Sequence, residues 1–420
     1  MKDDSDAHCP RCDAVLTTPD DRFSTWCAAC DWNVDPLGPI GLTRSRGREL
    51  ARQERVFRRT VVDGPDVAPP GAAAYGALVL AGAVNLATAA LVVTGVWLLF
   101  TGTVPQRILG AVELLAAVPL FPRPARPPRH TAGPATAPAL HAIVGRISTE
   151  LGTRPPDLIA FDTGYGARWA AVGWRRRRVL VLGLPLWEAL AADERLALLV
   201  RELAHAADEG QSRARWIRSA LDSLVGWEDL LTPDPLPAVP APDPHHSPAG
   251  NGRTSNIGHV GEMLARPLLG LLAQGAHLLH SLLRTLDGRC VGQAYRADRT
   301  AARIATAASA EGLLQALLLE EPAALALQRL ARRGDDLWAA LRDYLASVPD
   351  SERARRLRLS ELRGDASGSG QPPTCRRIQY VRTLRRTEPA VTVTGAEART
   401  VDLELAAIRS SIAQECRRNA

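Results

Sequence analysis

Two apolar runs dominate the pattern of hydrophobic and polar positions along the chain. Residues 72–100 contain no charged residue, and a second, shorter run at residues 108–121 contains Glu113. A helix over residues 72–100 rises roughly 40 Å, which exceeds the ~30 Å hydrocarbon core of a bilayer. We therefore predict a transmembrane helical hairpin over residues 72–123. The alternative is a single span followed by a helix at the membrane interface.

Arginines flank both outer ends of this predicted hairpin. Seven lie within residues 44–59, three more are Arg123, Arg126 and Arg129, and the predicted turn carries Arg107. Positively charged residues accumulate in the cytoplasmic loops of membrane proteins. The distribution predicts a multi-pass protein of the cell membrane with both termini in the cytoplasm.

The rest of the chain combines helical periodicity with a few short strands, which predicts a predominantly α-helical α+β fold. A helical pattern runs from Leu140 to Gly152. The segment 263–286 is a very apolar helix that is either a buried core helix, a re-entrant segment or a helix that dips into the membrane, and Arg266 and Pro267 near its start favour burial over a full span. Strand patterns cover residues 157–161, 168–174 and 178–182. The Pro/Gly-rich segment 231–256 lacks periodicity and predicts a mobile loop.

Four cysteines near the N-terminus have the spacing of a metal site. Cys9 and Cys12 form one CxxC pair, and Cys27 and Cys30 form a second pair after fourteen intervening residues. Two such pairs are typical of a zinc ribbon, in which four thiolates close a tetrahedral site with no open position. We predict a structural zinc here, which also fits a reducing compartment.

Composition makes nucleic acid an unexpected partner. The net charge is +6 and nearly all positive charge is arginine, with Lys2 as the only lysine. The basic residues are clustered without interleaved aromatic residues, and the cysteine-bearing segment carries aspartates that repel phosphate, among them Asp3, Asp4, Asp6, Asp20 and Asp21.

The segment 193–210 contains an altered metal-binding motif. Its helix ends in Arg201-Glu202-Leu203-Ala204-His205, one substitution away from H-E-x-x-H. In that motif two histidines, four positions apart on one helix face, share a zinc ion, and the Glu activates the metal-bound water. Arg201 stays protonated and has no lone pair to donate to a metal.

Residues 140–385 resemble the HtpX-like membrane zinc metallopeptidases, which are relatives of the CAAX prenyl proteases. The resemblance lies in three segments: DERLALLVRELAH, the helix AYRADRTAA from Ala294, and VPDSERARRLR followed by QPPTCRRI. It implies a gluzincin-like domain in the cytoplasm, in which an E-x-x-x-D signature supplies the third zinc ligand. Here Ala294 stands at the Glu position, Asp298 is retained, and Gln371 replaces the His of a His-Pro-Pro signature.

These departures predict that no catalytic zinc is bound. Of three expected ligands only His205 remains, and a +1 charge on Arg201 about 4 Å from a dication repels it by roughly 8 kcal/mol. Asp208, Glu209, Asp298, His277 and His280 are conceivable substitute ligands, although we expect the two histidines to be packed or interfacial.

Arg201 and Glu202 have two interpretations. They are either ordinary exposed helix charges or members of an ion-pair cluster that replaces the metal. We expect Asp298 to be the partner of Arg201, because Glu202 is its neighbour in sequence and should point away.

The domain organisation predicted is a zinc ribbon (1–40), a basic linker (41–71), the hairpin (72–123), a metallopeptidase-like domain (139–386) and a C-terminal tail with a short helix (387–420). The favoured function is a membrane-anchored pseudopeptidase that binds a protein or peptide, with Glu202 as a vestigial general base and His205 as a vestigial ligand. The alternatives are an active metalloendopeptidase with a rearranged metal site and a membrane-tethered ribbon that acts as an interaction module.

Overall fold

The computed structural model describes residues 8–16, 20, 22–35, 44–64, 72–117, 128–172, 177–209, 212–231, 270–283, 289–333, 336–363 and 371–420. Within them the chain is predominantly helical and has one four-stranded mixed sheet. The coarse fold prediction is therefore confirmed. Several predicted features fall outside the described residues, among them Arg123 and Arg126, nearly all of the loop 231–256, and both ends of the segment 263–286. The described part of that last segment, residues 270–283, exposes large apolar side chains such as Leu271 and Leu278, so the expectation that it is a buried core helix was wrong.

The helices, in chain order, are α1 (Arg44–Asp63), α2 (Ala72–Thr101), α3 (Val104–Ala117), α4 (Pro138–Glu150), α5 (Leu184–Ala189), α6 (Ala192–Glu209), α7 (Ser212–Leu231), α8 (270–283), α9 (Arg289–Ile304), α10 (Ala307–Leu317), α11 (Glu320–Ala331), α12 (Leu337–Ala346), α13 (Asp350–Arg363), α14 (Thr374–Thr383), α15 (Gly395–Glu404) and α16 (Ala406–Asn419). The strands are β1 (His130–Ala132), β2 (Leu158–Asp162), β3 (Ala167–Val172) and β4 (Arg177–Gly183).

The chain forms two compact units. The first comprises Met1–Val67, Pro124–Asp208 and Arg289–Ala420, and the second comprises Ala68–Arg123 and Glu209–Gly288.

The sheet of the first unit has the order β1-β2-β4-β3, in which β2 and β4 are parallel and the other pairs are antiparallel. The three predicted strands are confirmed, and the short β1 was missed because it lies within the Pro-rich segment 123–138. Ile159, Phe161, Leu180 and Leu182 point into one core together with apolar residues of α4 and α6. This core fixes α6, the helix that carries the altered motif.

The C-terminal segment 387–420 contains two helices, α15 and α16, rather than one. Val401, Leu405 and Ile412 are buried in the same core as the sheet. Thr394 begins α15 with a capping box, in which its side chain and that of Glu397 satisfy each other's backbone N–H groups.

The second unit contains the predicted hairpin helices. Gly95 of α2 faces Gly110 of α3, and a Cβ atom at Gly110 would lie 2.7 Å from the carbonyl oxygen of Gly95. The absence of side chains allows this close approach. The hydroxyl of Thr94 donates a 2.8 Å hydrogen bond to Glu113, so the one acidic residue of the short run has a partner on α2. α3 begins four residues before the predicted run, at Val104.

Among the described residues, α2 is the one helix long and apolar enough to cross a membrane, with a mean hydropathy of 2.1 over its most apolar part within Tyr75–Thr101. The described part of α3, Val104–Ala117, has 14 residues and a length of ~21 Å at ~1.5 Å per residue, which is less than the ~30 Å hydrocarbon core.

The end of β4 has no room for a side chain. A Cβ atom at Gly183 would lie 2.1 Å from the carbonyl oxygen of Gly164, whereas nothing lies within 4 Å of one at Gly145 in α4. We predict that Gly183→Ala lowers the free energy of unfolding by about 1–3 kcal/mol or more, and that the control Gly145→Ala raises it by about 0.5–1 kcal/mol. Denaturant unfolding of both variants measures this, and equal effects would contradict the backbone contact.

Candidate functional site

The altered motif lies on the buried face of α6. Glu194 accepts a hydrogen bond from the backbone N–H of Ala191 at the start of this helix, and Leu196, Leu199, Val200 and Leu203 pack into the core. Arg201 and Glu202 follow on the same helix and are only 7% and 5% exposed. The interpretation of these two residues as ordinary exposed helix charges is therefore wrong.

Arg201, Glu202, Asp298 and Arg377 form a buried charge cluster across α6, α9 and α14. The carboxylate of Asp298 accepts two hydrogen bonds of 2.7 Å from Nε and Nη2 of Arg377. Arg201 donates from Nη1 to Oε1 of Glu202 at 2.9 Å, and its Nε lies 3.4 Å from Oδ1 of Asp298. Two positive and two negative groups therefore balance within the cluster.

Asp298 is the centre of this cluster. Burial by itself raises the pKa of its carboxyl group, but the charge and hydrogen bonds of Arg377 outweigh burial and lower that pKa. The carboxylate is therefore ionised at neutral pH and holds both guanidinium groups. The Nε of the indole of Trp169 also donates to the backbone oxygen of Glu202 at 3.0 Å, which attaches β3 to the same turn of α6.

His205 lies beside the buried charge cluster as a neutral imidazole. Burial and the positive charges of Arg201 and Arg377 lower its pKa to about 3. Its Nε2 has no hydrogen-bond partner within the described part of the chain. A neutral imidazole carries a lone pair on one of its two ring nitrogens, while the charges of Arg201 and Arg377 oppose a cation here.

The other two altered positions differ in their surroundings. Ala294 is fully buried, one helical turn before Asp298 on α9. Its methyl group provides no ligand atom. Gln371 is exposed and comes directly before Pro372 and Pro373, which lead into α14.

The sequence-based expectations for this site are confirmed in part. Arg201 does lie at ion-pair distance from Asp298, but the expectation that Glu202 points away from it was wrong, because the two side chains make the shorter contact. Neighbouring helix residues can meet when long side chains turn toward each other in a buried space. Arg377 was missed entirely. Its position in the segment QPPTCRRI was the available signal, since that segment already resembled a site signature.

The four cysteines of the cysteine module (residues 8–35) come together. The Sγ–Sγ distances are 3.6 Å for Cys9–Cys30 and for Cys12–Cys27, and all four sulfurs lie within 4.8 Å of one another. They are close enough to bind a metal ion. No second cluster of this kind occurs within the described residues.

Both CxxC turns are closed by an aspartate in the left-handed conformation and by a backbone hydrogen bond. The aspartates are Asp13 and Asp31, each four residues after the first cysteine of its pair, with φ values of 61° and 57°. Their backbone N–H groups donate hydrogen bonds to the carbonyl oxygens of Cys9 and Cys27 respectively. Aspartate tolerates this left-handed conformation better than most residues.

Burial raises the pKa of the Cys9 thiol, but the backbone N–H groups of Arg11 and Cys12 outweigh it and lower that pKa to about 7. At Cys30 burial prevails and raises the pKa, so a thiolate is favoured at Cys9 and not at every cysteine of the module.

The cysteine module packs against α13. Arg358 donates two hydrogen bonds to Asp31, at 2.9 and 2.7 Å, and Arg363 donates two to Asp35, at 3.0 and 2.6 Å. The indole of Trp26, which is buried, donates to the backbone oxygen of Ser351 at 3.0 Å. Within the first unit, charged pairs and the buried indole of Trp26 thus attach the module to α13.

The remaining conceivable metal ligands are separate from this cluster. His277 and His280 belong to α8 in the second unit, where their Nδ1 atoms lie 3.4 and 3.1 Å from Oε1 of Glu228 on α7. We expected packed or interfacial histidines without a supporting acid; the acid is present, and His277 is exposed. The side chains of Asp208 and Glu209 lie outside the described residues.

Comparison with known proteins adds no family. No family model matches the chain, and neither the curated proteins nor the solved structures contain a significant match.

Because Asp298 is buried, we expect the loss of its main partner Arg377 to lower the free energy of unfolding strongly. We predict that Arg377→Met lowers the free energy of unfolding by about 3–5 kcal/mol, because Asp298 would stay buried with only the more distant Arg201. Arg382→Met is the matched control: it breaks the largely exposed pair with Glu311 and should cost about 0–1 kcal/mol. Urea unfolding gives both values. Similar losses in the two variants would contradict a buried charge cluster.

The lowered pKa of His205 predicts a pH-dependent stability. The folded chain protonates His205 near pH 3, whereas the unfolded chain does so near pH ~6.5. Between these values the unfolded state binds more protons, so the stabilisation is complete above about pH 6.5 and is lost as the pH falls. We predict that lowering the pH from 7 to 5 removes about 1–2 kcal/mol more from the wild type than from His205→Gln, measured by urea unfolding. If the free energy of unfolding depends on pH identically in the wild type and in His205→Gln, the lowered pKa of His205 is wrong.

Proposed function

We propose that the chain is a membrane-anchored, non-catalytic relative of the HtpX-like zinc metallopeptidases that binds a protein or peptide partner without cleaving it. The observation that carries this proposal is the buried charge cluster. Three of the positions at which the resemblance implies metal chemistry, Arg201, Glu202 and Asp298, belong to it.

The charges of the cluster oppose a catalytic zinc. Two guanidinium groups already neutralise two carboxylates, so a dication would add an uncompensated charge of two in a buried place. Ala294 contributes no ligand, which leaves His205 as the one expected ligand of three. A catalytic zinc usually takes about three protein ligands and keeps one position open.

We assign the cysteine module a structural zinc as a zinc ribbon. In a tetrahedral site with Zn–S bonds of ~2.3 Å the sulfurs stand ~3.8 Å apart, close to the 3.6 Å between the sulfurs of each contacting pair. Such a site has four thiolates and no open position, so the metal would stabilise the module rather than react. Its attachment to α13 gives it a structural role within the first unit.

The proposed location is the cell membrane, with a multi-pass topology and with both termini and the peptidase-like domain in the cytoplasm. Large apolar side chains of the second unit are exposed on α2, α3 and α8, including Val93, Phe100, Leu115, Leu271 and Leu278. A bilayer would cover such surfaces, which soluble proteins rarely expose in this number. Arg55, Arg58 and Arg59 are exposed on α1, before α2 begins, as the positive-inside pattern requires.

A second candidate function is an active metalloendopeptidase with a rearranged site. The observation in its favour is the unpartnered, neutral Nε2 of His205 within the described chain, since a neutral imidazole is a good zinc ligand. In that case Glu202 would have to leave Arg201 to activate water.

Metal content distinguishes the two functions. We expect about one zinc per chain in the purified full-length protein, lost in Cys9→Ser/Cys12→Ser, because the ribbon is the proposed site. About two zinc ions per chain, with one retained in that variant, would support the second candidate. Chelator-sensitive cleavage of an unfolded protein substrate would also overturn the non-catalytic proposal.

The variant Arg201→His/Ala294→Glu tests the assignment of the lost ligands. It exchanges one positive charge for a zinc ion and one carboxylate, so the charge of the cluster is unchanged once the metal binds. We expect the variant to bind about one additional zinc, and the single variant Arg201→His to bind less. If metal analysis detects only the ribbon zinc in the double variant, the ligand assignment is wrong.

A further inference from the structure

A second concentration of charge lies in the first unit, in a cavity of about 330 Å³. It is lined by residues at the end of α5 and the start of α6, and by residues of α12, α15 and α16. The charged residues of its wall are Glu188, Arg195, Arg342, Asp402 and Arg409. None of the four residues of the buried charge cluster lines this cavity, so an inference about it does not rest on the proposed function.

Glu188 is buried at the base of this wall, with 1% of its side chain exposed. Arg342 donates a short hydrogen bond to it. Arg409 donates from Nη2 at 3.1 Å and places its Nε 2.8 Å from the other carboxylate oxygen. One carboxylate therefore has two guanidinium partners, which is more positive charge than its neutralisation requires.

Arg195 is held separately. Its Nε donates to the backbone oxygen of Trp187 at 2.8 Å, and its Nη1 donates to Asp402 at 2.8 Å. The guanidinium also stacks over the Trp187 ring, 5.1 Å from the centroid. These contacts orient the group before any ligand arrives, which lowers the entropic cost of binding.

The wall carries a net positive charge. Three arginines face two carboxylates, so one positive charge remains, and each guanidinium has five N–H donors of which the described contacts use only some. Arg342, Arg409 and Arg195 are 41%, 23% and 13% exposed, so all three remain reachable from solvent.

We propose that this cavity binds a small oxyanion, the carboxylate or phosphate group of a small organic molecule. A guanidinium is a planar fork of N–H donors that can bond two oxygens of one carboxylate or one phosphate at the same time. An adjoining apolar pocket, which shares Ala192, Arg195 and Ala398 with the cavity, has a volume of only about 20 Å³. That volume is about the size of one water molecule, so it admits no more than a short apolar substituent.

Isothermal titration of the full-length chain in detergent tests the proposal, with inorganic phosphate and sodium acetate as separate probes and sodium chloride at equal ionic strength as the reference. Binding of phosphate alone identifies a phosphoryl ligand, and binding of acetate alone identifies a carboxylate. If both bind, the tighter probe names the ligand class. Heats no different from those of chloride with both probes overturn the proposal.

Two variants should change the affinity in opposite directions. Arg342→Gln removes a partly exposed donor but leaves Arg409 on Glu188, so the fold is retained; we expect the Kd to rise about tenfold or more. Asp402→Asn removes a negative charge from the wall and should lower the Kd several-fold. Arg382→Gln, which removes an arginine that does not line the cavity, should leave the Kd unchanged.

These variants separate a binding site from a purely structural network. Such a network would lower the melting temperature in Arg342→Gln and Asp402→Asn alike, with no change of affinity. The same Kd in wild type, Arg342→Gln and Asp402→Asn would therefore overturn the assignment of the anion to this cavity, even if anions bind elsewhere on the chain.

Discussion

The ion pair between Asp298 and Arg377 is the contact on which the arrangement of the site depends. Asp298 is on α9, Arg377 is on α14, and Arg201 brings α6 to the same carboxylate. Because all of these charges are buried, removing any one leaves the others without compensation. A metal ion coordinated from several helices would impose the same constraint. In this chain arginines supply the positive charge that joins the helices.

Charge balance also explains the other attachments in the first unit. Buried Glu352 is neutralised by Arg355 and Arg356 of its own helix, α13. Further along that helix, Arg358 and Arg363 hold Asp31 and Asp35 of the cysteine module. Arginine serves in each place because its planar guanidinium can bond one carboxylate through two donors and remain charged when buried. The near absence of lysine therefore has structural consequences as well as compositional ones.

Much of the fold could be predicted from local pattern. Strands β2, β3 and β4 were predicted within one or two residues, and the end of α4 was predicted at Gly152 and is observed at Glu150. These predictions succeed because alternation of apolar and polar residues and a helix-ending glycine with positive φ both act over short distances. The short β1 could not be predicted, since its partner β2 is more than twenty residues away and only that pairing makes it a strand. The packing of α15 and α16 into the main core was also beyond local pattern, because it depends on which distant surfaces remain uncovered.

The sequence by itself determined which residue types were available at the altered metal site: an arginine that cannot bind a metal and an alanine without a ligand atom. It also determined the two cysteine pairs at metal-site spacing near the N-terminus. Only the tertiary structure decided how the charges are paired. Arg377 is 79 residues from Asp298, and Arg201 turned out to contact its own neighbour Glu202 as well. Pair distances of a few ångströms set these energies, and sequence separation does not encode such distances until the helices have packed.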